Sequence, residues 1–284
     1  MLCFAIALRS KRTTRNWKQV VKDFNSTLNS IFNQKNSNFR VLVACHEIPP
    51  LEREYDDRLK FITVDFPVPN EWVQYCRDRA MKLMACTMEI KKHYSDYSEE
   101  DGGAFVFPVD ADDLISNRVS EFVNTHLNAN GFRSKKGLVW NRSKNRKIVI
   151  KSPYFGGSCN VMKLYYDELP DALPEESKFF LKETGEYLIK NYKICWDDHE
   201  VAEKFRQLGR PFTMFPFAST IYVLGAGENI SDIDPREQKL DGSFSKLTGI
   251  NFHPGILVKR INPLNKKILS PKLKREFSIY RGYK

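Results

Sequence analysis

Residues 105–116 read F-V-F-P-V-D-A-D-D-L-I-S. The apolar run of Phe105, Val106, Phe107 and Val109 ends abruptly in three carboxylates, Asp110, Asp112 and Asp113. Ser116 then stands where it can cap a following helix. This is the pattern of a buried strand delivering acids at its C-terminal end. In open α/β sheets, ligands bind in the crevice beyond the carboxyl ends of the strands. Three acids so close together repel one another unless positive charge sits among them. Their hard oxygens suit Mg or Mn shared with a phosphate-bearing ligand.

Upstream, the chain alternates strand and helix. Leu2 to Leu8 is a short apolar run, predicted to be a buried strand. It ends in the basic, hydroxyl-rich loop R-S-K-R-T-T-R, which begins at Arg9 and reads equally well as a solvated connection or as a phosphate-contacting loop. Trp17, Val20, Val21, Phe24, Leu28 and Ile31 recur at helical spacing. Phe39–Cys45 and Leu59–Phe66 are the next predicted strands. His46 and Glu47 follow the first of these and read as structural, and Pro49-Pro50 prevents its continuation. A long helix is predicted over 71–93, with Arg77, Asp78, Arg79 and Lys82 on a polar face read as solvated. This order predicts a largely parallel sheet with helices on its faces.

Downstream, a helix holding Val119, Phe122, Val123 and Leu127 is expected to end at Gly131. Residues 137–140 and 147–151 read as a hairpin around a basic turn. Gly156-Gly157-Ser158 precedes the apolar run C-N-V-M-K-L-Y-Y, and the glycines permit a close backbone approach to a ligand, or a bulge. Helical patterns are predicted over 179–192 and up to Leu208. The second opens on Cys195-Trp196-Asp197-Asp198-His199-Glu200, which carries more acid than a cap requires. Residues 211–224 read as a strand pair. From Gly225 the composition shifts toward a Lys/Arg-rich tail, so 1–225 is predicted as the folded domain and 226–284 as a basic extension packing on it or trailing from it.

The 284 residues are 42% hydrophobic and 28% charged, which suits a protein able to bury a core. The net charge of +10 favours anionic partners. No nucleic-acid motif appears, and nucleic acid is not an expected partner. The six cysteines form no C-x-x-C pair and read as buried free thiols of a reducing compartment. No apolar run is long enough for a membrane span, and the N-terminal apolar run is too short for a signal peptide. The expected setting is cytoplasmic, and the basic tail is compatible with peripheral contact with a membrane.

Four chemistries fit an acid cluster at a strand end. A metal-dependent nucleotide-sugar transferase uses such acids to hold ribose, cation and diphosphate, because negative charge builds on the leaving group. A phosphohydrolase of the haloacid-dehalogenase type uses Asp-x-Asp as nucleophile and general acid, but Asp113 and the long preceding sheet are unusual for it. A nucleotidyltransferase calls for a glycine-rich loop after the first strand, where this chain has R-S-K-R-T-T-R. In a non-catalytic nucleotide-binding module the acids merely cap a helix.

The F-P-V-D-A-D-D-L-I-S stretch, the W-D-D-H-E segment after the G-G-S strand, and the runs F-R-V-L-V-A-C-H, R-D-R-A-M-K-L and I-Y-V-L-G-A-G-E-N-I-S together resemble the GT-A nucleotide-sugar glycosyltransferases. The likeness is to the inverting, family-2-like members and a bacterial putative-glycosyltransferase subgroup, over roughly residues 1–230. It implies a three-layer α/β/α sandwich with a mixed, mainly parallel central sheet. Residues 1–115 would be the nucleotide-sugar half and 116–225 the acceptor half. By the same resemblance Asp110 contacts ribose or base, and Asp112 binds Mn or Mg with help from Asp113. Arg9, Arg79 and Lys82 lie at the nucleotide. Asp198, with Asp197 as alternate, is the general base for a hydroxyl acceptor, whether a glycan, a lipid-linked or another acceptor. His199 is a metal ligand or acceptor contact. The family's acid pair near the acceptor is often Glu-Asp, so Asp197-Asp198-His199-Glu200 departs from it.

Overall fold

The computed structural model describes residues 1–70, 72–99, 102–141, 147–151, 156–175, 182–195, 200–224 and 266–279. The central sheet uses β1 (Leu2–Ala7), β2 (Phe39–Cys45), β3 (Leu59–Thr63), β4 (Gly103–Val109), β6 (Gly131–Ser134), β9 (Asn160–Tyr165) and β10 (Thr213–Phe215). Their order across the sheet is β10-β6-β9-β4-β1-β2-β3. All pairings are parallel except those of β9, which runs against both β4 and β6. This is the mixed, mainly parallel α/β architecture the sequence implies.

The central strands read as continuous apolar runs because helices cover both faces. Alternation along each strand sorts the side chains by size. Leu2, Phe4, Ile6, Phe105 and Phe107 join Phe24 and Leu28 of α1 (Trp17–Ile31), with Val119 and Val123 of α4 (Val119–Asn124), on one face. Cys3, Ala5, Leu42, Ala44 and Val106 face Met81, Met84 and Cys86 of α2 (Trp72–Lys92) on the other. The smaller residues let α2 lie close to the sheet. Leu188 of α5 (Lys182–Asn191) and Phe205 of α6 (Val201–Gln207) complete that layer. A one-turn α3 (Tyr94–Tyr97) follows α2.

A second sheet, ordered β12-β8-β7-β11-β5, lies outside the expected plan. It comprises β5 (Leu114–Ile115), β7 (Gly137–Asn141), β8 (Lys147–Lys151), β11 (Thr220–Leu224) and β12 (Lys266–Ile268). The hairpin of β7 and β8 is there as predicted. The expected strand pair over 211–224 is not a pair: β10 joins β6 in the first sheet and β11 joins β7 in the second. Arg118 rather than Ser116 is the cap residue of α4, and the Ser116 hydroxyl accepts from the Arg118 backbone N–H at 3.4 Å. The same hydroxyl donates to Glu276 Oε1 at 2.7 Å, and Arg118 binds the same oxygen at 2.8 Å. Glu276 ends α7 (Pro271–Glu276), so residues 266–279 are built into the second sheet's core through Leu269, Phe277 and Ile279. Among the described residues no helix is long and apolar enough to cross a membrane.

Phe277 is fully buried although it lies only seven residues from the chain's last residue. Phe277→Ala is therefore expected to cost about 3–5 kcal/mol in urea unfolding, the range for truncating a core phenylalanine. A loss within error would mean that this segment contributes no core.

Candidate functional site

Parallel pairing sets β1, β2 and β4 side by side, and the pairing of Ile6 with Val109 and with Val43 makes them end together. The segments that leave these strands therefore meet at one edge: Arg9 and Ser10 after β1, His46 and Glu47 after β2, Asp110 after β4.

The loop after β1 is wound into a turn by its own hydroxyls. Ser10 Oγ accepts from the Arg12 backbone N–H at 3.2 Å and donates to both Glu47 carboxylate oxygens, at 3.0 and 2.9 Å. Glu47 also accepts from the Lys11 backbone N–H at 3.1 Å. It thus holds the loop from the neighbouring strand end, a structural role in keeping with the sequence reading. The Arg9 guanidinium donates to Thr13 O at 2.5 Å and lies 4.7 Å from the Tyr75 ring centre. His46 bonds Phe66 O through Nε2 at 2.8 Å, and burial lowers its pKa, so it favours the neutral imidazole.

The three acids meet three fates. Asp110 pairs with Arg79 of α2, whose guanidinium reaches Oδ1 at 3.0 Å. Both side chains keep about a third of their surface, 28% and 33%, open to solvent. Gly157 lies against the Asp110 carboxylate so closely that a Cβ there would fall 1.8 Å from Oδ2. The expected close approach at this glycine is thus to a site carboxylate. The Ser158 hydroxyl accepts from the Asp110 backbone N–H at 2.9 Å, and Thr220 Oγ1 in turn donates to Ser158 O at 2.6 Å. Nothing in the sequence marked Ser158, because its partners come from β4 and β11.

Asp112 is partly exposed at the turn. Asp113 is fully buried, and its Oδ2 meets no hydrogen-bond partner among the described residues. Burial first, then the nearby Asp112 and Asp110 carboxylates, push its pKa well above the usual carboxylate range. Full burial, which the sequence reading did not foresee, separates Asp113 from the partly exposed Asp112.

Lys82 is the other correction. It has no solvent exposure, and its Nζ donates to Leu8 O at 2.9 Å and to Asp78 Oδ2 at 2.8 Å. Burial lowers the Lys82 pKa and raises that of Asp78, with their mutual attraction opposing both shifts. The polar face of α2 is therefore not solvated at Asp78 and Lys82, and Lys82 does not present its charge to a ligand. Asp197, Asp198 and His199 lie outside the described residues. Cys195, which precedes them, packs on α2 with Sγ 3.9 Å from Ala80 O.

Among the described residues no three His, Cys, Asp or Glu side chains are grouped to hold a metal ion. Magnesium in phosphate sites is commonly held by one or two carboxylates together with substrate oxygens. Asp112 at the strand end fits that limited demand.

No family model matches the chain, and no curated protein matches it. Solved structures that resemble it include TarS 1–349 of S. aureus, at 11% identity, covering 78% of this chain and 60% of that one, TM-score 0.39. Galactosyltransferase LgtC in complex with donor and acceptor sugar analogues shows 12% identity over 89% of this chain and 98% of that one, TM-score 0.34. The 4-diphosphocytidyl-2C-methyl-D-erythritol synthase of Anaerococcus prevotii shows 11% identity over 87% and 98%, TM-score 0.32. These are distant likenesses of shape, and this chain spans 60% of the TarS fragment.

Asp113 supplies a pH test. Its folded pKa is raised, so its contribution to stability is full below the unfolded value of about 4 and is lost as pH rises toward the folded value. Asp113→Asn, neutral at every pH, should melt above the wild type at pH 8 in metal-free buffer, with the gain shrinking toward pH 4. A gain that grew on acidification would contradict the raised pKa of the buried acid.

Proposed function

We propose that this chain is a glycosyltransferase that moves a sugar from a nucleoside-diphosphate sugar to an acceptor hydroxyl. The observation that carries the reading is the convergence, at the carboxyl ends of β1 and β4, of a basic loop, the Arg79–Asp110 pair and Asp112. Open α/β sheets bind ligands at this edge, and the cations there suit an anionic diphosphate.

In this reading Arg9 and Arg79 face the nucleotide, and Asp110 takes a ribose or base contact beside Arg79. Asp112 and the diphosphate oxygens would hold Mg or Mn, whose charge offsets the negative charge gathering on the leaving group. Asp198, with Asp197 as alternate, takes the proton from the acceptor hydroxyl, and His199 contacts acceptor or cation. The acceptor oxygen forms its bond to the anomeric carbon as the bond to the diphosphate breaks. A single in-line displacement of this kind inverts the anomeric centre and needs only one base within hydrogen-bond reach. The acceptor is a glycan, a lipid-linked or another hydroxyl, and the setting proposed is cytoplasmic.

The test is incubation with Mn and a panel of nucleotide-sugars, with free nucleoside diphosphate measured. Release from one donor, abolished by Asp112→Ala, is the expected result. No release from any donor together with cleavage of a simple phosphomonoester would replace this reading with the phosphohydrolase. With an acceptor identified, Asp198→Asn should leave donor affinity unchanged and lower transfer by on the order of 10²-fold or more. Unchanged transfer would remove Asp198 from the mechanism.

A further inference from the structure

We propose that the buried Asp78–Lys82 pair is a positioning device that sets the placement of Arg9 and Arg79 at the nucleotide. The inference rests on the donor-site reading above and assigns Lys82 a role other than ligand contact.

Tyr75, Asp78, Arg79 and Lys82 fall at i, i+3, i+4 and i+7 along α2 and so share one helix face. That face meets the ends of both strands that flank the crevice. Lys82 Nζ ties Asp78 to the carbonyl of Leu8. Leu8 immediately precedes Arg9, and Asp78 immediately precedes Arg79. One ammonium therefore links the backbone beside one arginine to the residue beside the other. Further along the same face the Tyr75 ring lies under the Arg9 guanidinium, and Arg79 reaches across to Asp110.

Folding alone gives little reason for such a pair. Burying two charges carries a desolvation cost, and well-packed apolar residues of similar volume often serve stability as well or better. Here the cost is heightened by Asp78 Oδ1, which is buried with no hydrogen-bond partner among the described residues. An apolar pair would fill the space, but it would not hold the Leu8 carbonyl, just past β1, at hydrogen-bond distance from α2. Positional control of that kind is worth most at a site where misplacing a contact group by an ångström is costly.

The test uses equilibrium binding of ADP, CDP, GDP and UDP in the presence of Mn, then donor kinetics with the sugar of whichever nucleotide binds. Lys82→Met and Asp78→Asn should each weaken binding about tenfold or more and raise the donor KM alike, with kcat at saturating donor changed by less than about threefold. Simple destabilisation would instead lower the active fraction, and with it apparent kcat, leaving KM in place. Direct contact between Lys82 and phosphate would make the two variants diverge, because removing the Asp78 charge would tighten or preserve anion binding. Tyr75→Leu leaves the buried pair intact and removes the ring beneath Arg9, whose bond to Thr13 remains, so it should also weaken binding if the Lys82 variant does not fold. Wild-type affinity in Asp78→Asn and Tyr75→Leu would overturn the positioning role. Failure of the wild type to bind any of the four nucleotides would overturn the donor-site reading itself, and this inference with it.

Discussion

Parallel pairing of β1 with β4 is the constraint from which the site arises. The register runs from Leu2 opposite Phe105 to Ile6 opposite Val109, so the two strands end level. Each then leaves the sheet into a polar segment, and the two segments cannot avoid one another. Size sorting along the same strands makes the arrangement compact. Phenylalanines fill the layer under α1 and α4, while Cys3 and Ala5 leave room for α2 to approach closely enough to reach the strand ends with its side chains. The antiparallel ladder between β4 and β9 stops at Val106 and Met162, two residues before Pro108, which has no N–H to give. Past that point Gly157 and Ser158 close on Asp110.

The electrostatics of the acid turn are settled largely by the protein. Arg79 neutralises Asp110, and burial drives Asp113 toward its protonated form. Asp110 and Asp112 both stay partly exposed at the turn. A diphosphate entering the crevice would meet Arg79 and the loop after β1, and Arg79 would divide its donors between the ligand and Asp110.

Much of the central sheet was legible because buried parallel strands are written as unbroken apolar runs. Phe39–Cys45 matches its predicted bounds, and α1 and α2 follow their helical spacing. Of the second sheet the β7–β8 hairpin was legible, but its assembly was not: β5 has two residues, and β12 pairs with β8 from more than a hundred positions away. The Arg79–Asp110 ion pair brings together two residues that the resemblance assigns to the nucleotide. The burial of Lys82 and of Asp113 was missed for a common reason. Charged residues are rarely fully buried unless paired or neutralised, and the partner that permits burial is invisible in a linear reading. For Lys82 that partner includes the backbone carbonyl of Leu8, just past β1, and for Asp113 burial and the neighbouring acids raise the carboxyl pKa.

The central claim is that a nucleoside diphosphate sits at the joint end of β1 and β4. Hydrogen–deuterium exchange, with and without a nucleoside diphosphate and Mn, probes that place directly. Protection should appear in residues 9–15 and 110–113 and on α2 around Arg79. Ligand-dependent protection confined to the groove lined by Ile62, Val64, Met88, Tyr166 and Leu173, which shares no residue with the acid turn, would contradict it.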